Sequence, residues 1–260
     1  MNMLVILAII LFVLMIVVGG RKGARSFIAL FFNFGILLLT ILLMTDPHIN
    51  PIILTIVACA FISCINLFYI NEVNSKTKTA FVSTVITIAI LIVFINIVTK
   101  NAMIQGFGEE QMDELNIFSL YVGVDFVKIS TSMIIMSTIG AITDVAISIT
   151  SPMREVFSHH PTISRNELFK SGIRIGRDIL GSNTNTLFFA FFGSYMGLLI
   201  WFKDMSYSVG EIVNSKVFAG EMVIILCAGI GIALITPVAA WINAFYLVRR
   251  REKSEAAENK

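Results

Sequence analysis

The run STIGAITDVAISIT, Ser137 to Thr150, carries a single charged side chain, Asp144. A carboxyl group at bilayer depth costs roughly 2.5–3.5 kcal/mol on insertion scales, and such acids mark ion and proton pathways. On a 3.6-residue period Ser130, Ser137, Gly140 or Ala141, Asp144, Ser148 and Ser151 share one small, polar face, while Ile134, Ile135, Ile142, Val145 and Ile149 point elsewhere. Small residues let helices approach closely and hydroxyls bond across the contact. The expectation is therefore that Asp144 faces a protein interior or a wet cavity. Two roles stay open for it: a structural acid bridging hydroxyls or an arginine, or a group that handles protons or cations.

A second polar group follows in GRDILGSNTNTLFFAFFGS. Asp178, Ser182, Asn185 or Thr186, Phe189 and Gly193 share a face, and Asn183, Thr184, Asn185 and Thr186 are four consecutive polar side chains at a membrane entrance. They either cap and pack against neighbours or line a hydrated path with Asp144. The candidate ion-coupling set is thus Asp144, Asp178, Asn183, Thr184, Asn185 and Thr186. Further on, Glu221 precedes Gly229, Gly231, Ala233 and Pro237. Ser137, Gly140, Ser148, Gly193, Gly229 and Pro237 are the expected helix-packing positions. Among the first spans, Asn33, Ser63 and Asn66 are read as glue between helices.

Other chemistries fit poorly. Thr143-Asp144 and Gly176-Arg177-Asp178 do not match the YD and GxGD pattern of intramembrane aspartyl proteases, and no GxSxG elbow, P-loop or HExxH is present. No enzyme and no cofactor are expected. Cys59, Cys64 and Cys227 lie in apolar runs without metal or disulfide spacing. His159 and His160 adjoin Pro161 in a turn, where no metal is expected.

The elements that must position these groups are membrane helices. The 260 residues are 57% hydrophobic and 14% charged, against about 45–50% and about 25% in soluble domains. Apolar windows long enough for ~30 Å of hydrocarbon fall at 3–19, 27–45, 52–70, 80–99, 127–150, 183–202 and 217–247, which makes an all-α polytopic membrane protein of about seven spans. Asp125 and Lys128 blur the fifth window's outer end, and 117–124 either extends it or lies on the surface. The last window is long enough to require tilt or a break near Pro237. No basic residue precedes the first window, and GGRKGAR follows it, so it reads as an uncleaved helix with its N-terminus outside.

Charge follows the alternation. One set of loops holds Arg21, Lys22 and Arg25; Lys76 and Lys78; Arg154, Arg165, Lys170, Arg174 and Arg177; and Arg249, Arg250, Arg251, Lys253 and Lys260. The opposite loops hold Lys100, Lys203 and Lys216. This asymmetry sets N-out and C-in in the cytoplasmic membrane, and accounts for the basic residues without nucleic acid. Residues 1–247 read as one transmembrane domain and 248–260 as a flexible charged cytoplasmic tail. In the longest cytoplasmic loop Ser164 and Glu167 form a capping box with Ile163 and Leu168 as its hydrophobic staple, starting a helix near Arg165. Leu168, Gly172, Ile175 and Ile179 make its apolar stripe, so the segment is expected to lie amphipathically at the headgroups of the lipid bilayer.

The order TIGAITDVAISIT, SRNELFKSGIRIGRDILGSNTNTLFFAFFG and GIALITPVAAWI resembles the YibE/F family of bacterial membrane proteins over roughly Ile117 to Ile242. Lack of a large ectodomain resembles the F-type member, which implies a hetero-oligomer with a YibE-like membrane protein carrying such a domain; a homo-oligomer is also open. More distantly, 117–247 resembles the second half of the SecD/SecF and RND transmembrane core. That likeness matches Gly140 and Asp144 to the Gly and first acid of a proton-coupling helix, with Val145 where many RND pumps have a second Asp. It implies an integral subunit of an ion-coupled transport or export system, the ion being a proton. The competing expectation is a scaffold subunit that transports nothing.

Overall fold

The computed structural model describes residues 2–104, 106 and 125–258; the expectation for 117–124 lies outside them. The described elements are helical, as the apolar windows require. Helix α1 (Met3–Met44) is followed by α2 (Pro51–Cys64), which passes through a π-helical turn (Ile65–Tyr69), and by α3 (Ser75–Ala102). Then come α4 (Phe126–His159), α5 (Arg165–Ser194), α6 (Met196–Asp204), α7 (Val209–Asn214) and α8 (Lys216–Glu258). Five of these are long and apolar enough to cross a membrane, six if α5 and α6 form one bent span.

Helix α1 contains two of the expected spans. At Gly20 the backbone leaves helical values (φ 56, ψ −137), a left-handed-side conformation that favours glycine. The Phe12 and Phe27 rings lie 4.8 Å apart, whereas fifteen residues of straight helix would separate them by roughly 22 Å. The chain therefore folds back at Gly20 and the two arms lie side by side. Gly23 completes the turn, because a Cβ there would strike the Met15 carbonyl.

Helix α4 is the centre, packed by α8, α3, α2 and α5. Its Ile134, Ile135, Ile139, Ile142, Val145, Ala146 and Ile149 are buried, as are Ile232, Ile235, Ala239, Ala240 and Ala244 of α8. This reverses the expected orientation of α4. The bulky β-branched ridge interdigitates with four neighbouring helices, and the narrow small-residue stripe is left on the outside of the chain. Packing volume decides this, since lipid tails are as apolar as isoleucine and offer the ridge no competing preference.

Several other expectations are corrected. Ser164 and Glu167 do form the capping box that starts α5. Yet Leu168, Gly172 and Gly176 are buried and pack into the bundle rather than lying on headgroups. A Cβ on Gly172 would sit 2.6 Å from Met153 Sδ and 2.8 Å from Ala240 Cβ, and one on Gly176 would collide with the Thr236 methyl. The hairpin of α4 and α5 thus packs against the second half of α8. Pro237 does not break α8, which continues as helix. Instead the sixth span bends, by 54°, between α5 and α6. Helix α8 continues through Glu258, with Val248 buried and Arg251 Nη1 donating to the Pro161 and Ile163 carbonyls.

The basic loops converge at one end. Arg25 pairs with Glu72 at 2.8 Å, Lys76 Nζ donates to Ser151 Oγ at 3.1 Å, and Arg165 lies 3.9 Å from Glu252. Asp125, which blurred the fifth window, is the N-cap of α4, accepting from the Val127 and Lys128 amides.

Two outcomes follow from this packing. Gly176→Ala should lower stability by about 1–3 kcal/mol through overpacking, whereas Gly140→Ala, with nothing within 4 Å of the added carbon, should leave it unchanged or slightly raised; thermal unfolding of purified protein reads the difference. Hydrogen bonds from the Ser164 hydroxyl and amide hold the Glu167 carboxyl below its usual range. A depressed folded-state pKa means the cap is fully present above the ordinary glutamate value of about 4.3 and is lost as pH falls through the lower folded one. Hydrogen exchange at 164–170 should accelerate across that acidic window, and should show no such step in Glu167→Ala.

Candidate functional site

Ser137, Gly140, Asp144 and Ser148 form an exposed stripe along α4, flanked by half-buried Ser130, Ala141 and Ser151. Nothing lies within 4 Å of a Cβ built on Gly140. Asp144 makes no hydrogen bond or ion pair with a described residue. Seven residues separate it from Ser151, which meets Lys76 at the basic end, so it lies roughly 10 Å inward from that level. The acid is therefore inside the apolar layer, toward its basic-loop end, and turned away from this chain's core.

The second cluster is divided by α5. Asn183 and Thr184 are half-buried, while Asp178, Ser182, Asn185, Thr186 and Gly193 are exposed. Thr184 packs its methyl 3.7 Å from the Cβ position of Gly229 and donates its hydroxyl to the Leu180 carbonyl; Thr186 likewise donates to Ser182. Thr184 and Gly229 thus join α5 to α8, and Asn185 and Thr186 look outward. Gly176 meets Thr236, and Gly231, five residues earlier on α8, meets Thr138 and Ile142, which places Asp144 near the level of Asp178 and leaves Asn185 about two turns away. The two polar faces share a depth, but no hydrogen bond links Asp144 to Asp178 or to 183–186 among the described residues. Gly193 has nothing within 4 Å of a Cβ, and Pro237 is exposed.

The interior also holds polar groups outside these two clusters. Asn243 is fully buried; it accepts from Thr79 Oγ1 at 3.0 Å and donates to the Thr150 carbonyl at 3.2 Å, tying α3, α8 and α4 together. Thr77, Thr79, Ser83, Thr84 and Thr87 line the buried face of α3. Their spacing of three and four in KTKTAFVSTVIT was readable, and Asn243 stands alone in AAWINAFY. Asn33 Nδ2 donates to Asn66 Oδ1 at 2.8 Å and Ser63 lies 3.5 Å from Thr143 Oγ1, so those three residues do join helices. At the far end Tyr195, where the sixth span bends, donates to Glu221 at 2.8 Å. Both line a cavity of about 310 Å³ with Ser130 and Lys216.

The YibE/F-like protein family matches residues 7–249. The chain belongs to that family. The match takes in both arms of α1 and α8 as far as Arg249, so the folded-back N-terminal hairpin is part of the YibE/F-like unit together with the Asp144 helix. No curated protein and no solved structure matches the chain.

In this YibE/F-like bundle Asn243→Ala should remove two interhelical hydrogen bonds and lower stability by about 0.6–1.7 kcal/mol, the range for such bonds within membranes. Thermal unfolding of Asn243→Ala beside Asn243→Asp and the parent protein measures it.

Proposed function

We propose that the chain is the integral membrane subunit of a proton-coupled transport or export system and works with an ectodomain-bearing YibE-like partner in the cytoplasmic membrane. The observation that carries this reading is the outward Asp144 within the apolar layer. A carboxyl group left against lipid costs roughly 2.5–3.5 kcal/mol, and this chain supplies it no partner among the described residues. A helix of a second subunit, seated over Ser137, Gly140 and Ser148, offsets that cost with hydrogen bonds. The missing Cβ of Gly140 lets such a helix come close.

Asp144 then lies at a subunit seam, near the level of Asp178. A hydrated seam gives a titratable acid a route to bulk water, and a sealed one gives only packing. The first arrangement is the coupling site of a transporter; the second is the scaffold reading, which the small-residue stripe also favours. Proton coupling through Asp144, with Asn183, Thr184, Asn185 and Thr186 as neighbours, is the reading adopted, and the role is one of transport rather than catalysis.

Asp144→Asn keeps size and hydrogen-bonding capacity but removes titration. Co-purified with its partner and reconstituted in proteoliposomes, this variant should assemble normally and lose proton flux followed with a pH-sensitive dye. Gly140→Leu should abolish co-purification while the isolated chain stays folded. Undiminished proton flux in Asp144→Asn would refute the coupling role, and loss of assembly in the same variant would favour the scaffold.

A further inference from the structure

One face of α8 changes character along its length. Val238, Trp241, Ile242, Phe245, Tyr246, Arg249, Arg250 and Lys253 recur at helical spacing, apolar first and basic last. Two clefts adjoin on this face. The upper, of about 370 Å³, lies between α8, α3 and α5, with Pro237, Trp241, Ile86 and Phe169 on its walls. The lower, of about 410 Å³, is lined by Phe245, Tyr246, Arg249, Arg250 and Lys253.

Depth along the membrane normal distinguishes them. Asn243 meets the Thr150 carbonyl, one residue from the Ser151–Lys76 contact at the basic end. The upper cleft therefore lies at the depth of acyl chains, and the lower one at the headgroups. Trp241 and Tyr246, both exposed, sit at the boundary where such rings collect.

Charge selects the occupant. Arg251 is paired with Glu255 and Arg165 with Glu252, but Arg249, Arg250 and Lys253 form no ion pair among the described residues. The Arg165 and Arg249 guanidinium carbons lie 4.7 and 5.7 Å from the centroid of the Phe245 ring, which holds two cations at the cleft wall. We propose that the composite cleft binds one anionic phospholipid of the leaflet on the basic-loop side. Its phosphate and headgroup lie among Arg249, Arg250 and Lys253, and an acyl chain follows Trp241, Pro237 and Phe169. A peptide or nucleic acid supplies the negative charge without a chain for the apolar cleft; an anionic lipid has both.

The protein has two tryptophans, so Trp201→Phe leaves Trp241 as the reporter inside the cleft. Full-length protein in vesicles of phosphatidylcholine is titrated with acyl-brominated phosphatidylglycerol or acyl-brominated phosphatidylcholine, and Trp241 quenching is followed. Each cation near an anionic surface is worth about 1 kcal/mol, so half-quenching should need at least about tenfold less of the anionic lipid. R249Q/R250Q/K253Q should erase that preference while quenching by brominated phosphatidylcholine stays as before; R154Q/R174Q/R177Q should retain it. Arg250→Gln alone should lose part of it and serves if the triple variant does not elute as a monodisperse species. Equal quenching by the two lipids, or a preference that survives loss of the cleft cations, overturns the proposal. Equal loss in both triple variants also overturns it, by showing diffuse surface attraction.

Discussion

The fold rests on the close seating of α8 against α4. Gly231 is buried there, and a Cβ on it would stand 3.0 Å from both Thr138 and Ile142; the absent side chain sets how near the two helices come. In hydrocarbon no hydrophobic force drives helices together, so dispersion over a well-fitted contact and a few buried hydrogen bonds must do it. The Ile and Val ridge of α4 supplies the fit. Asn243, bonded to Thr79 and to the Thr150 carbonyl, supplies the polar registration that aligns three helices at the basic end.

Once α4 is turned to present its ridge inward, the position of Asp144 follows. The acid and its small neighbours fall on the only side of α4 that α2, α3, α8 and α5 leave uncovered among the described residues. The same geometry governs α5, whose Gly172 and Gly176 let it settle on α4 and α8 while Asn185 and Thr186 remain outside. Polar groups at the perimeter of a membrane bundle call for a second surface, and this is why the proposed function is that of a subunit. In the interior, by contrast, some hydroxyls bond to their own helices, such as Thr138 to Ile134 and Thr236 to Ile232, an arrangement that needs no partner.

At the basic end the bundle extends past the membrane. Helix α8 has 43 residues, roughly 64 Å of helix against ~30 Å of hydrocarbon, and its excess length supports the hairpin between α4 and α5. Leu247 and Val248 are buried in that extension, while Arg251 holds the turn at Pro161 and Ile163. The hairpin is thereby built on helices that continue α4 beyond the Asp144 stripe.

Much was legible without coordinates. Apolar run lengths disclosed the spans, because hydrocarbon thickness dictates them. The Ser164–Glu167 spacing disclosed the start of α5, because a capping box is local. Family membership was readable in the order of the Asp144 helix, the GRDILGSNTNTL run and the Gly-rich last helix. Three things were decided only by tertiary structure. Helical period groups residues on a face but is silent about which face meets protein, and in a bilayer hydropathy does not break the tie; so the Asp144 stripe came out on the far side of α4. The reversal at Gly20 and the bend at Tyr195 depend on what each segment packs against. The apolar cleft beside Trp241, above the basic stripe of α8, exists only because Ile86 and Phe169, distant in sequence, form its other walls.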